Sequence, residues 1–365
     1  MRYGARSWNR EWRRRLPPGA PVVAGREPSE ALLTLVRRSL SVGPRTLGLT
    51  PRPVRLGPSP QGAQRASRVR TPLARGLRRD TLSSMNETFA YASLPHVEKR
   101  ALRLGVSGTY GLDEGALRHA AERGVNCWLW NPRYPAITAA LQHVLRGNAE
   151  EHVVVVLGLV GYTGGTMRRL AENALRSLAV DRIDVLLLPW LGRASVLSRG
   201  VQETLVRLKE EGKVRAVGTS IHDRERAAEL VKDSVLDAFM LRYNAKHPGA
   251  EQDIFPHLAA RNPLVVAYTA TSWRQLIRPV SGIDMPPWPG ASTTGAPPPP
   301  LTAELCYRFC LSSPHVHVVW TAPKTRQQLD ENLGALRAGP LSTEEEAWVR
   351  EYGAKVKAKK RFTYF

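Results

Sequence analysis

Short apolar runs alternate with amphipathic, helix-like stretches from about residue 100 to residue 340. Each run is about four to eight residues long and rich in β-branched side chains, a composition typical of a strand buried on both faces. Strands that alternate with helices form a parallel sheet. Eight such units predict a closed (β/α)8 barrel of the α/β class, a fold of about 250 residues.

The predicted elements follow one another without a long gap until the seventh strand. The strands are predicted at 102–106, 125–130, 153–159, 183–188, 214–218, 236–243, 264–268 and 316–320. The helices between and after them are predicted at 113–123, 136–145, 166–178, 200–211, 223–232, 254–260, 302–311 and 325–336, and a ninth at 342–360. A doubly wound open sheet is the alternative. It is disfavoured because Gly105, Gly108 and Gly111 are evenly spaced and do not form the G-x-G-x-x-G dinucleotide turn.

The charge of the chain is concentrated at its N-terminus. Of a net charge of +21 over 365 residues, +14 comes from residues 1–84, which contain 18 arginines, no lysine and four acids. This Arg- and Pro-rich segment shows no sustained helical or strand periodicity, so we predict a disordered extension. Three explanations stay open: translation that truly starts at Met85, an organellar transit peptide or flexible tail, and a nucleic-acid-binding arm. The predicted organisation is therefore an extension at 1–84, a barrel at 85–340 and a C-terminal helix and tail at 341–365.

Several functional classes are disfavoured by what the sequence lacks. No apolar run approaches the roughly 20 residues that a membrane span needs, so we expect a soluble protein without a membrane partner. Cys127, Cys306 and Cys310 are too few for a disulfide scaffold, and we interpret them as small core residues. We expect a cytoplasmic location, or an organellar one if residues 1–84 are a transit peptide. The oligomeric state is left open.

A proline-rich segment interrupts the pattern after the seventh strand. Residues 281–300 include a run of four consecutive prolines, Pro297 to Pro300, and three others. Proline blocks both helices and inner strands, so a loop is predicted. The loop is either a surface insertion or a flap over the site.

In a barrel of this kind, the catalytic groups lie where the strands end, in the loops that lead into the helices. Those predicted loops are rich in aromatic residues and poor in acids, and they contain no spacing typical of metal ligands. Metal-dependent hydrolysis and glycosidase chemistry are therefore disfavoured. Aromatic side chains suit a flat, partly apolar ligand such as a nicotinamide ring.

Five segments, in order along the chain, resemble the aldo-keto reductases, which are NADP(H)-dependent carbonyl reductases built on a (β/α)8 barrel. They are LRLGVSGTYG, HAAERGVNCWLWNPRY, VDRIDVLLLPW, LVRLKEEGKVRAVGTS and TAPKTRQQLDENLGAL. The resemblance covers residues 100–350 and implies the fold, a small-molecule carbonyl or alcohol substrate and an NADP(H) cofactor.

The resemblance also implies a catalytic tetrad, most of which is replaced. The tyrosine that donates a proton in the family corresponds to Tyr134. The family's Asp falls on Leu129, its Lys on Gly158 or Leu159, and its His on Pro189. None of these replacements can carry a charge, and an unassisted tyrosine has a pKa near 10. His247 or His222 is a candidate partner for Tyr134 in an altered proton relay, because a histidine titrates near neutral pH. The alternative is that the loop containing His247 is merely polar and caps the next helix.

The cofactor-binding positions implied by the resemblance are better preserved. Tyr268 corresponds to the aromatic residue that stacks on nicotinamide, and Ser220 to a residue that binds its carboxamide. The remaining cofactor candidates are Thr109 in the first loop and Lys324, Gln328 and Asn332 near the last helix, where a cation beside a helix N-terminus suits the adenosine phosphate. Packing or solvated surface roles are the alternatives for Tyr268 and Lys324.

Three functions follow from the sequence. The first is an NADP(H)-dependent oxidoreductase with altered acid–base residues, and the second is a catalytically inactive dinucleotide- or partner-binding protein on the same barrel. The third, a nucleic-acid-binding protein, depends on the basic extension alone. We expect no nucleic-acid partner for the barrel, because most of the excess charge lies outside it.

Overall fold

The computed structural model describes residues 87–158, 163–192, 196–289 and 300–359. The predicted extension at 1–84 lies outside the described residues, and with it the question of a start at Met85. Leu159, residues 290–299 of the proline-rich segment and the tail after Lys359 are outside them as well.

Eight parallel strands close into a barrel in the order β10-β3-β4-β5-β6-β7-β8-β9, and a two-stranded antiparallel hairpin, β1-β2, precedes them. The hairpin strands are β1 (Tyr91–Leu94) and β2 (Lys99–Leu102). The barrel strands are β3 (Leu104–Ser107), β4 (Cys127–Trp130), β5 (Val153–Leu157), β6 (Ile183–Leu188), β7 (Val214–Ile221), β8 (Ala238–Arg242), β9 (Leu264–Tyr268) and β10 (Val318–Thr321). The predicted (β/α)8 barrel is confirmed.

Helices lie between the strands and cover the outside of the barrel. They are α1 (Glu87–Ala90), α2 (Glu114–Glu122), α3 (Pro135–Val144), α4 (Gly164–Leu178), α5 (Arg199–Glu210), α6 (Arg224–Lys232), α7 (Ala250–Asp253), α8 (Ala303–Ser312), α9 (Arg326–Ala338) and α10 (Thr343–Lys359). Seven of them begin at a Ser, Thr or Asp whose side chain accepts a hydrogen bond from a backbone N–H in the first turn. Such caps satisfy donors that have no partner within the helix.

One predicted helix is wrong. The sequence predicted a helix at 254–260, but the structure has the four-residue α7, followed by a 3-10 turn at Phe255–His257. Pro256 explains the interruption, because proline has no backbone N–H and clashes with the preceding turn of an α-helix. The proline instead lies at the beginning of the 3-10 turn, where its missing N–H is not needed.

The hairpin β1-β2 was not predicted. Its residues Leu94, Val97 and Ala101 are buried and pack against the cluster of side chains inside the barrel. Each strand has only four residues, and His96 and Glu98 in the turn have positive φ angles of 62° and 58°. The strands YASL and KRAL contain polar residues, so they do not form the apolar runs from which the barrel strands were predicted.

The three cysteines are buried and free, which confirms their interpretation as core residues. Cys127 lies in the cluster inside the barrel, whereas Cys306 and Cys310 of α8 pack between the barrel and its helices. Within the described ranges, His, Cys, Asp and Glu nowhere form a group that could hold a metal ion. None of the helices in those ranges combines the length and apolar character needed to cross a bilayer.

The last helix, predicted at 342–360, is α10. Ser342 accepts a hydrogen bond from the backbone N–H of Glu345 at its start. The described part of the proline-rich loop rests on this helix, because the Trp348 indole donates to the Pro286 carbonyl at 2.8 Å and the rings of Trp288 and Trp348 meet at 5.1 Å. These contacts fix the beginning of the loop. The choice between an insertion and a flap depends on residues outside the described ones.

Candidate functional site

Side chains on the barrel strands alternate between the interior and the helix layer, and this alternation defines the candidate site. On β8, Ala238 and Met240 pack inside the barrel, whereas Phe239 and Leu241 pack outward. The next inward position is Arg242, at the end of the strand. We call the inward-facing residues at the C-terminal ends of the barrel strands the barrel mouth; they are Ser107, Leu129, Leu157, Ser220, His222, Arg242, Tyr268 and Trp320.

Three of the replaced tetrad positions can be located, and one of them, Pro189, is buried directly after β6. Leu129 packs against the cluster inside the barrel, so an apolar side chain stands where the family's Asp would face the interior. Gly158 does not face the interior: a Cβ at this position would lie 3.2 Å from Leu170 of α4 and 3.2 Å from Pro189. Leu157, one residue earlier, packs against the interior cluster instead. The alternative Lys position, Leu159, is outside the described residues.

Tyr134 precedes α3 in the loop after β4. Its backbone N–H donates to the Asn131 carbonyl at 3.2 Å, and the Asn131 side chain donates to the Leu157 carbonyl at 2.9 Å, so the loop is tied to the neighbouring strand. The Tyr134 ring is half-buried against the layer between the barrel and its helices. Its hydroxyl makes no hydrogen bond to another described residue, and no contact joins it to His222 among the residues of the described ranges.

Ser220 ends the inward-facing series on β7 and is 1% exposed. Its hydroxyl has no hydrogen-bond partner in the described part of the chain. The adjacent Thr219 faces the other way and donates weakly to the Leu188 carbonyl at 3.4 Å. A buried hydroxyl without a partner costs about 1–3 kcal/mol, so such a group in a folded protein calls for an explanation.

Tyr268 and His222 form a pair at the barrel mouth. The Tyr268 hydroxyl lies 2.8 Å from Nε2 of His222, and the two rings meet edge to face with centroids 5.5 Å apart. Burial and the nearby Arg242 guanidinium lower the pKa of His222 to about 4, although part of the ring reaches solvent. Burial raises the pKa of Tyr268 well above its usual range. Both groups are therefore neutral at pH 7, and the sequence did not indicate that they touch.

His247 lies in a tight turn in which Asn244 accepts hydrogen bonds from its backbone N–H, at 2.8 Å through the carbonyl and 3.0 Å through the side chain. It is 8% exposed. Burial and the cations of Arg242, Lys246, Lys357 and Arg224 lower its pKa to about 3. His247 is therefore neutral at physiological pH, in positively charged surroundings.

Of the residues predicted to bind the adenosine phosphate and adenine, Lys324 lines an open cleft of about 340 Å³. Its lining residues come from the starts of two helices, Gly111, Leu112, Asp113 and Ala116 at α2 and Lys324, Thr325 and Arg326 at α9. Backbone N–H groups at helix N-termini and the two cations favour an anion there, and the Asp113 carboxylate opposes it. Thr109 is exposed in the first loop and hydrogen-bonds the Ser107 hydroxyl.

Gln328 and Asn332 of α9 form hydrogen bonds with residues that precede the helix. The Gln328 side-chain oxygen accepts from the Lys324 backbone N–H at 2.9 Å. Asn332 is 7% exposed and donates to the Thr321 hydroxyl at 2.9 Å, which also contacts Tyr307 at 2.8 Å. These bonds orient the two side chains and leave the Asn332 carbonyl oxygen available.

Sequence reasoning missed Trp320. This residue is inward-facing on β10 and 6% exposed, and its indole Nε1 has no hydrogen-bond partner within the described ranges. Gly105 makes room for the indole, because a Cβ there would lie 2.3 Å from a ring carbon of Trp320. The alternation along β10, in which Val318 is also inward, is the signal that could have found it.

Comparison with known proteins identifies the fold. The aldo/keto reductase family model matches residues 114–273, and no curated protein gives a match. An aldo-keto reductase from Bacillus halodurans in its holo form is 20% identical with a TM-score of 0.59, the match covering 72% of this chain and 95% of that one. Glycerol dehydrogenase from Gluconobacter oxydans is 18% identical with a TM-score of 0.58, covering 76% and 99%.

An aldo/keto reductase from Klebsiella pneumoniae, in complex with NADP and acetate, is 19% identical with a TM-score of 0.56, and the match covers 73% of this chain and 95% of that one. Likenesses at these identities establish the fold and leave the chemistry open. The resemblance predicted from the sequence is confirmed: residues 114–273 match the aldo/keto reductase family model, and the described barrel has that family's fold.

Proposed function

We propose that this protein is an NADP(H)-dependent oxidoreductase that acts on a small carbonyl or alcohol substrate with altered acid–base residues. The observation that carries the proposal is the buried Ser220 hydroxyl, which has no hydrogen-bond partner among the described residues and lies at the position that binds the nicotinamide carboxamide in the family. A carboxamide offers both a donor and an acceptor, so it would satisfy this hydroxyl.

The other residues at the mouth and cleft fit the same cofactor. Tyr268 offers an aromatic ring to the nicotinamide, and Lys324 and Arg326 offer cations to the adenosine phosphate beside the N-terminus of α9. Bound NADPH would supply the hydride for carbonyl reduction. Thr109, Gln328 and Asn332 remain proposed cofactor contacts, the last through its free carbonyl oxygen.

Tyr134 is the proposed proton donor to the carbonyl oxygen. The family's Asp and Lys, which assist this tyrosine, correspond here to Leu129 and to Gly158 or Leu159, and losing such partners costs about 10²- to 10⁴-fold in rate. His247 is the proposed partner of Tyr134 in a proton relay. This part of the proposal has less support, because burial and neighbouring cations lower the pKa of His247 and keep its ring neutral. A slow enzyme is therefore expected.

The alternative function is a catalytically inactive barrel that binds a dinucleotide or a protein partner. The observation that favours it is the apolar character of the tetrad positions, with Leu129 packed inside the barrel and Pro189 after β6. Neither residue can hold or move a proton. We further propose a cytoplasmic location and no nucleic-acid or membrane partner for the barrel.

Fluorescence titration of the protein with NADPH, followed by a screen of carbonyl substrates, separates these functions. The oxidoreductase proposal predicts binding at submillimolar NADPH and turnover that falls sharply in Tyr134→Phe. Binding without turnover would support the inactive alternative. Absence of binding would reject both dinucleotide-binding functions, and turnover unchanged in Tyr134→Phe would reject Tyr134 as the proton donor.

A further inference from the structure

Three inward-facing residues occupy one row across neighbouring strands at the barrel mouth. Arg242 of β8 is paired in register with Tyr268 of β9. The register of β9 with β10 pairs Val266 with Val318 and Ala267 with Val319, so Tyr268 continues this row to Trp320. Adjacent strands lie about 4.8 Å apart, so the backbones of Arg242 and Trp320 are separated by about 10 Å. Two long side chains can converge on one small group over that distance.

The two residues at the ends of this row, Arg242 and Trp320, carry hydrogen-bond donors that meet no acceptor in the described part of the chain. The Trp320 indole N–H is buried and has no partner in the described ranges. Arg242 is half-buried and forms no hydrogen bond or ion pair with a described residue. A guanidinium and an indole can only donate, so neither can satisfy the other. Half-burying an unpaired cation is costly, and an anion at this place would offset that cost.

The carboxylates of the neighbouring loops are engaged elsewhere. Asp253 pairs with Arg224, and Glu251 pairs with Arg350 and accepts a hydrogen bond from the Tyr243 hydroxyl. The charge of Arg242 instead acts on two histidines. After burial, it is the second-largest cause of the lowered pKa values of His222 and His247. Among the described residues, therefore, none forms an ion pair with Arg242, and its positive charge is available to a ligand at the barrel mouth.

We propose that Arg242 and the indole N–H of Trp320 bind an anionic oxygen group, and that this group is a carboxylate of the substrate. The substrate class is then a carbonyl compound that also carries a carboxylate. The identification of the group as part of a substrate rests on the proposed function, whereas the anion site does not require turnover. A cofactor phosphate is the other source of anionic oxygens, and the experiment distinguishes the two.

The test compares two aldehydes of the same shape by isothermal titration calorimetry on the full chain. They are 4-carboxybenzaldehyde, which is anionic, and 4-formylbenzamide, which is neutral. We expect the carboxylate to bind at least about tenfold more tightly, because a charge-assisted hydrogen bond contributes that much. Arg242→Met should abolish the preference, and Trp320→Phe should reduce it. Arg133→Met is the matched control, since Arg133 is exposed in the loop after β4 and should leave the preference intact.

Thermal unfolding of each variant shows whether it is folded, and Arg242→Lys provides a second variant that keeps the charge. It should retain part of the preference, because an ammonium can pair with a carboxylate but lacks the two-pronged geometry of a guanidinium. Equal affinity for the two aldehydes, no binding of either, or an unchanged preference in both Arg242 variants would overturn the inference.

A parallel NADPH titration separates the inference from the proposed function. If NADPH binds equally to the original protein and to Arg242→Met, and the carboxylate preference is lost in that variant, the inference stands. A carboxylate preference in a protein that does not bind NADPH would support the anion site while rejecting the proposed function. If Arg242→Met weakens NADPH binding and leaves the aldehyde preference unchanged, the guanidinium serves a cofactor phosphate and the inference is wrong.

Discussion

Replacing Ser220 by alanine should make the protein more stable and a poorer binder of NADPH. The hydroxyl is 1% exposed and has no partner in the described part of the chain. Removing an unsatisfied buried hydroxyl relieves a desolvation cost of about 1–3 kcal/mol. The small void left behind offsets part of this gain, so we expect the free energy of unfolding to rise by about 1 kcal/mol. A domain of this size should then melt about 2–4 °C higher.

The same substitution removes the group proposed to bind the nicotinamide carboxamide. One hydrogen bond contributes about 0.5–1.5 kcal/mol, so NADPH affinity should fall by about two- to twelvefold. Urea denaturation without ligand and fluorescence titration with NADPH measure the two effects on the same samples. Thr321→Val is the matched control: the Thr321 hydroxyl contacts Tyr307 and Asn332, so this variant should lose stability.

A Ser220→Ala variant that is less stable by more than about 0.5 kcal/mol would show that the hydroxyl has a partner after all. Unchanged NADPH affinity, with the expected gain in stability, would show that Ser220 does not contact the cofactor. Either result would refute the reasoning, and each refutes a different step of it.

Three further predictions concern the scaffold. Gly218→Ala should lower the free energy of unfolding by about 3 kcal/mol or more, because the new Cβ on β7 would lie 2.1 Å from the Ala238 carbonyl oxygen on β8. Thermal unfolding measures this loss, and a loss under about 1 kcal/mol would contradict the close approach of the two strands at this position. Arg103→Met should lower the free energy of unfolding by about 3–5 kcal/mol, since this buried guanidinium donates to four backbone carbonyls at 2.7–3.3 Å. An unchanged midpoint of urea denaturation would show that the guanidinium does not stabilise the fold. Burial lowers the pKa values of His247 and His317 to about 3 and about 4, so the unfolded chain binds protons at a higher pH than the folded protein does. The free energy of unfolding should therefore fall as the pH drops from about 6.5 to about 4, by about 1.4 kcal/mol per pH unit for each fully linked proton. A free energy of unfolding that does not change over this range would contradict the prediction.

The sequence predicted the barrel because the apolar runs and the helix-like stretches repeat eight times, and each strand needed only its period to be recognised. It missed the hairpin β1-β2, whose strands YASL and KRAL contain polar residues and form no apolar run. It placed a helix at 254–260 because the apolar spacing outweighed the interruption at Pro256. Local signals of this kind are weaker than tertiary packing.

The candidate site was harder to predict, because its features arise from packing between distant parts of the chain. The contact of Tyr268 with His222 joins residues 46 positions apart, and no spacing in the sequence indicates it. That the Ser220 hydroxyl and the Trp320 indole N–H have no hydrogen-bond partner in the described ranges is likewise a property of the folded interior. Gly158 matched a family position in sequence, yet its missing Cβ points toward α4 and Pro189. Sequence reasoning identified residue types at the barrel mouth but not which of them touch.

The central claim, that this barrel binds NADP(H), is tested most directly by titrating the intact protein with NADPH and with NADH and following nicotinamide fluorescence. We expect saturable binding at submillimolar NADPH and weaker binding of NADH. In Lys324→Met the difference between the two affinities should be smaller, because Lys324 lies at the cleft proposed for the 2′-phosphate. No binding of either nucleotide at submillimolar concentrations would contradict the central claim.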